Sequence, residues 1–188
     1  MEQTGYGARL ETAAAVVSFW LEAGGGRWFS RDAAFDAEIR ARGGALHRRV
    51  AEGGLREWEG DAEGALALVL VLDQFSRNLY RDDRRAFAWD GAALCLARRA
   101  IRRGFDAGLP VEKRRWLYMP FMHSEDVSAQ RCGLAYFRAL GEEKTLDAAI
   151  EHAEIIERFG RFPHRNGVMG RETSDAEAAY LASGGFRG

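Results

Sequence analysis

The side chains with most chemistry to offer crowd into one short stretch, Phe159 to Arg171, which holds Arg161, Arg165, Arg171, His164, Asn166 and two phenylalanines. Gly160 and Pro163 end a helix there, because glycine takes the left-handed cap and proline cannot continue the hydrogen-bond ladder. The loop that follows carries too much polar chemistry for a plain connector. Three of the four histidines, His123, His152 and His164, sit beside helix ends or on apolar helix faces. An imidazole that titrates near neutrality serves as a general acid or base, and Arg77, Arg161 and Arg165 offer planar forks suited to a carboxylate or phosphate. These types point to a pocket for a small anionic ligand.

Two other segments join this set. Asp73-Gln74-Phe75-Ser76-Arg77-Asn78 extends an apolar run, and the four-residue spacings Asp73/Arg77 and Gln74/Asn78 bring each pair together on one helix surface. His123-Ser124-Glu125-Asp126 follows an apolar helix end broken at Pro120, with Ser124 as the expected N-cap of the next helix. Asp90 falls between Phe87 and Leu94 on an apolar stripe, where a carboxylate needs a partner; Arg161 and Arg165 are the candidates. We therefore expect Asp73, Arg77, His123, Glu125, His164 and Arg165 to converge. His123, Glu125 and His164 are the catalytic candidates, and Asp73, Gln74, Arg77, Asn78, Asp90, His152, Arg161, Arg165, Asn166 and Arg171 the ligand-binding ones.

Other readings of the same residues stand beside this one. His123-x-Glu125 with His164 supplies metal-ligand types, but not the i, i+4 histidine pair of a helical zinc site, and no metal is assigned. The whole set also suits a structural network that satisfies helix-end carbonyls. A third possibility is a helix-pair scaffold whose groove takes a peptide or protein partner. No Gly-rich phosphate loop, Ser/His/Asp spacing or cysteine nucleophile is recognisable, so neither a reaction nor a cofactor is specified.

Helices must position these groups. Sustained strand alternation is absent, while apolar residues recur at i, i+3 and i+4 throughout, giving an all-α chain. Expected helices cover residues 11–23, a segment from about Ser30 to Gly43-Gly44, a short 46–51 piece with His47 on the surface, the apolar run 65–80, Arg84 to Arg103, a segment ending at Gly141, Thr145 to Phe159, and a last helix opened by the capping box Ser174-Asp175-Ala176-Glu177. Short turns stack consecutive helices as antiparallel pairs. At 188 residues and 47% hydrophobic, the expectation is a single domain over 1–188.

Composition excludes some partners. A formal charge of −1 provides no field toward nucleic acid or an anionic membrane. All but two of the 27 basic residues are arginine, a bias that lowers the weight of any single one. Residues 13–21 are too few to span a bilayer, and Cys95 and Cys132 lie far apart without a Cys-x-x-Cys spacing, which suits a cytoplasmic protein.

At Leu72-Asp73-Gln74-Phe75-Ser76-Arg77-Asn78, Pro120-Phe121-Met122-His123-Ser124-Glu125-Asp126 and Phe159-Gly160-Arg161-Phe162-Pro163-His164-Arg165-Asn166, the chain resembles the bacterial family of unknown function numbered 924. The resemblance extends from Phe19-Trp20 through Trp28-Phe29 and Phe35-Asp36 to the final helix. It implies a tetratricopeptide-like helical fold and the polar positions named above, with Ser124 and Gln130 added; it implies no activity. Ser76 departs from the family's proline, so the helix need not break before Arg77.

Overall fold

The computed structural model describes residues 7–188, and their regular structure is helical throughout. Two compact units divide the described residues: 7–81 with 85–120, and 82–84 with 121–188. In order, the helices are α1 (Ala13–Ala23), α2 (Gly25–Trp28), α3 (Ala33–Ala51), α4 (Ala62–Val69), α5 (Ser76–Leu79), α6 (Asp90–Arg102), α7 (Val111–His123), α8 (Val127–Leu140), α9 (Glu143–Phe159), α10 (Asn166–Met169) and α11 (Asp175–Ala182). Short 3-10 turns lie at Arg56–Gly60, Arg84–Phe87, Asp106–Gly108 and Pro163–Arg165.

The first unit is built around the run Ala62 to Leu79. Leu66, Ala67, Val69, Leu70, Val71 and Phe75 are all fully buried, which is the expected consequence of a helix apolar on every side. Between α4 and α5 the chain widens into a π-helical turn, Leu70–Phe75. Such turns insert a residue into the helix and re-aim the side chains around it. Ser76 keeps the helix going, with its hydroxyl bonded back to the Leu72 carbonyl at 2.6 Å. Around this run pack α1, α3 and α6, and Phe75 meets the rings of Phe19 and Trp20 at 6.0 Å each.

Helix α3 corrects three sequence expectations. It is capped by Asp32, whose Oδ1 accepts from the Ala34 and Phe35 amides, rather than by Ser30. It runs unbroken through Gly43-Gly44, so no separate 46–51 helix exists. Gly43 is there for packing: a Cβ at this position would stand 2.8 Å from Cε2 of the buried Phe75 ring. We expect Gly43→Ala to lower stability by about 1–3 kcal/mol in urea melts, against the gain that alanine gives at an ordinary helix position. An unchanged midpoint would show that the two elements yield freely. Continuity of α3 also puts His47 on the stripe of Phe35, Ile39, Gly43, Leu46 and Val50, fully buried instead of at the surface.

Three further boundaries differ. The segment expected from Arg84 to Arg103 forms a 3-10 turn and then α6, which starts only at Asp90. Pro120 lies inside α7, which continues to His123 instead of breaking. In the second unit, α8 and α9 form an antiparallel hairpin about Gly141, which adopts the left-handed conformation (φ 78°), and the close approach of Gly133 to Cβ of Phe121 lets α8 pack. The N-cap of α8 is Asp126, bonded to the Ser128 and Ala129 amides, rather than Ser124. After α9, Gly160 takes the left-handed cap and Ser174 with Glu177 forms the reciprocal capping box, both as the sequence indicates.

Candidate functional site

Polar residues on the first unit's central helix form a closed network. Asp73 sits in the π-helical turn with its side chain fully buried. It accepts from Gln74 Nε2 and pairs with Arg77 at 3.2 Å, the i, i+4 contact that the spacing indicates. Arg77 also donates to the Asp73 carbonyl and reaches Asp90 at 3.1 Å. Burial pulls the Arg77 guanidinium down, but attraction by Asp73 and Asp90 outweighs it and holds the group above its ordinary value. The arginine on Asp90 is therefore Arg77, where Arg161 and Arg165 were expected. Asp90 is also the first residue of α6, half-buried, and not the middle of a stripe.

Asn78 turns away from Gln74. Its Nδ2 donates to Asp36 Oδ1 at 2.8 Å, and Arg81 grips the same carboxylate through Nε and Nη2. This ties the end of the central helix to α3. Nearby, His47 Nε2 lies 2.8 Å from Ser76 Oγ; since that hydroxyl donates to Leu72, it accepts from the imidazole N–H. Burial, with the neighbouring Arg48 charge, pushes His47 down to about 4, so the ring is neutral at pH 7.

The second unit organises the Phe159–Arg171 stretch with two arginine clamps. Glu125 accepts from Arg171 at 2.7 and 3.0 Å and from the Phe162 amide at 2.9 Å. Burial raises the Glu125 carboxyl, but the Arg171 bonds and the Phe162 amide win and hold it below the usual range. Arg161 grips Glu177 at 2.6 and 2.8 Å and also donates to the Glu172 carbonyl. Glu177 is almost fully buried and closes the capping box, accepting from both the amide and the hydroxyl of Ser174. The loop is consequently fixed at both ends: Pro163–Arg165 and α10 are short helical turns, with Pro163, Arg165 and Asn166 buried.

Beside these clamps, His152 and His164 collect about two phenylalanines, with His123 next to His152. His152 stands 6.4 Å from His123 between ring centroids, 5.4 Å from Phe162 and 4.4 Å from Phe186; His164 meets Phe162 at 5.6 Å and Phe186 at 5.1 Å. His152 Nδ1 lies 2.7 Å from the Ala148 carbonyl, which only accepts, so Nδ1 carries the proton and Nε2 keeps its lone pair. Burial first, then His123, outweighs the Ala148 bond and pushes His152 down to about 3. Arg165 spans the Phe162 ring at 4.5 Å and donates to the His123 carbonyl at 3.1 Å. Gln130, buried on α8, donates to the Met122 and Ser124 carbonyls at 2.7 Å each and so satisfies the end of α7.

Of the six residues expected to converge, Asp73 and Arg77 belong to the first unit's network, and His123, Glu125, His164 and Arg165 to the second unit. Sequence reasoning missed Asp36, Arg81 and Glu177 as charge partners. Glu177 carried a signal, since a capping-box glutamate near unpaired arginines is a natural acceptor; Asp36 and Arg81 lie 45 residues apart and carried none. Among the described residues no three or more His, Cys, Asp and Glu side chains are grouped to hold a metal ion, and no helix is long and apolar enough to cross a membrane.

A solved structure of a protein of unknown function from Agrobacterium tumefaciens is 43% identical to this chain, covers 91% of it and 97% of its own length, and superposes with a TM-score of 0.88. No curated protein matches. Residues 16–185, including all three polar motifs and both arginine clamps, match the family described as bacterial protein of unknown function, DUF924. The chain belongs to that family.

Proposed function

We propose that the second unit binds a small anionic ligand at the His123, His152 and His164 cluster, with Arg165 at its edge. The observation that carries this reading is the tautomer of His152. Its N–H is given to Ala148, so a bare Nε2 stands among His123, His164 and Arg165, whose charges all oppose its protonation. An anion there offsets that repulsion and lets His152 accept a proton. The ligand class is a phosphate or carboxylate whose oxygen accepts from the Nε2–H that His152 then carries. In this reading Glu125, Arg161 and Arg171 are positioning residues, and Asp73, Gln74, Arg77, Asn78 and Asp90 hold the first unit together. Asn166 supports the clamp, and His152 is the candidate base should the ligand react.

Binding should therefore take up protons at pH values above about 3, where the His152 ring of the free protein is neutral. A thermal-shift screen of phosphorylated and carboxylated metabolites identifies the ligand, because saturation at 100 times the dissociation constant adds about 2.7 kcal/mol. Calorimetry in two buffers of different ionisation enthalpy then counts the protons, with uptake expected in the wild type and lost in His152→Gln. Absence of a shift with every anion at millimolar concentration, or binding with no proton uptake, sinks the proposal.

A tetratricopeptide-like scaffold for a peptide is the second reading. It draws on a groove of about 480 Å³ lined by Ile155, Phe159 and Tyr180, where Glu151 and Glu154 outnumber Arg158, a balance that suits a basic peptide. Such binding would weaken steeply with salt and be indifferent to His152→Gln.

A further inference from the structure

A cavity of about 640 Å³ opens in the first unit, and none of Asp73, Gln74, Arg77 and Asp90 lines it. Its floor is apolar: Leu68, Leu72 and Leu96 are buried, and Trp89 forms one wall. Two arginines stand at its mouth with different roles. Arg99 is neutralised by Glu59 at 2.9 Å. Arg56 meets no carboxylate among the described residues; its Nε makes one long contact, 3.4 Å, to the Gly53 carbonyl.

The backbone holds Arg56 in that place. Leu55 adopts a left-handed conformation (φ 61°), which a branched side chain takes only when its surroundings impose it. Gly54 is packed so tightly on the end of α3 that a Cβ would lie 2.8 Å from the Arg49 carbonyl oxygen. The 53–55 turn is thus folded back on α3, and the 3-10 turn begun by Arg56 starts at the lip of the cavity.

We infer that this cavity binds a small monocarboxylate with an aryl or short alkyl tail. The tail lies on Leu68, Leu72, Leu96 and Trp89, and the carboxylate on the Arg56 guanidinium. One unneutralised cation beside an already matched ion pair suits one negative charge, and a planar guanidinium matches a planar carboxylate. The leucine floor and Trp89 favour an acid with an apolar tail over a purely polar anion, which gains nothing from them.

Cys95 supplies a local reporter, since its exposed thiol lines the cavity on α6. The other cysteine, Cys132, is also exposed and belongs to the second unit, so Cys132→Ser leaves Cys95 as the only thiol. In that variant we expect saturating 4-phenylbutyrate to slow alkylation of Cys95 by iodoacetamide at least fivefold. The neutral analogue 4-phenylbutanol, and 4-phenylbutyrate on the Arg56→Ala protein, should need at least tenfold higher concentration for the same protection, as expected for loss of a charge-assisted bond. Because each comparison is a ratio with and without probe, a change in thiol reactivity caused by Arg56→Ala cancels. An alkylation rate unaffected by 4-phenylbutyrate overturns the site. Equal protection by acid and alcohol, or full protection in Arg56→Ala, overturns the carboxylate assignment.

Discussion

Arg77→Ala is expected to lower the free energy of unfolding by about 3–5 kcal/mol in urea titrations. Asp73 is fully buried in the π-helical turn, and Arg77 supplies the cation beside it at 3.2 Å. Removing that cation leaves a desolvated carboxylate with neutral donors such as Gln74. The charge, once unmatched, costs several kcal/mol, whereas the intact pair contributes little net stability because both ions were desolvated to form it. The double substitution Asp73→Leu with Arg77→Met should for that reason recover most of the loss. A loss below about 1 kcal/mol in Arg77→Ala would show that Asp73 is neutral in the folded protein. Less is at stake at Asp90, which keeps partial access to water at the start of α6.

Glu177→Gln is expected to destabilise the protein by about 2–3 kcal/mol at pH 7, since it replaces a buried, doubly gripped carboxylate with an amide that cannot accept at both oxygens from Arg161. The Arg161 bonds, opposed by burial and reinforced by Ser174, hold the Glu177 carboxyl far below the usual range. A carboxyl whose folded pKa is depressed contributes stability at pH values above its unfolded pKa of roughly 4.3, and loses it as the pH falls toward the folded value. The gap between wild type and Glu177→Gln should accordingly be constant from pH 7 to about 5 and close below about 4. A gap that persists unchanged at pH 3 would mean that the amide acts through packing and that the ion pair contributes nothing. Because Arg161 fixes one end of the Phe159–Arg171 stretch, Glu177→Gln should also weaken any ligand held by the histidine cluster.

Helical periodicity, glycine caps and the Ser174 capping box were readable in the sequence because each is set by residues within one or two turns of one another. The Asp73/Arg77 pair is of the same kind, four residues on one helix. The family resemblance located Glu125, Arg161 and Arg171 of the clamps but not Glu177. Boundaries failed where a distant surface intervened: Gly43 reads locally as a helix stop, yet α3 passes through it because the Phe75 ring needs the space. His47 reads as polar and flanked by arginines, yet an unbroken α3 turns it inward onto Ser76.

What the amino-acid sequence determined by itself was the all-α class, the helix ends at Gly24, Gly141 and Gly160, the Ser174 capping box and the list of polar residues worth watching, since hydrophobic spacing and capping are short-range properties. Beyond the Asp73/Arg77 pair, tertiary structure alone decided which charge meets which. Asp90 lies 13 residues from Arg77, and Glu125 lies 46 from Arg171, separations at which sequence order places no limit on approach. A desolvated charge takes the nearest partner that packing presents, so the pairing of Asp90 with Arg77, Glu125 with Arg171 and Glu177 with Arg161 followed from the fold.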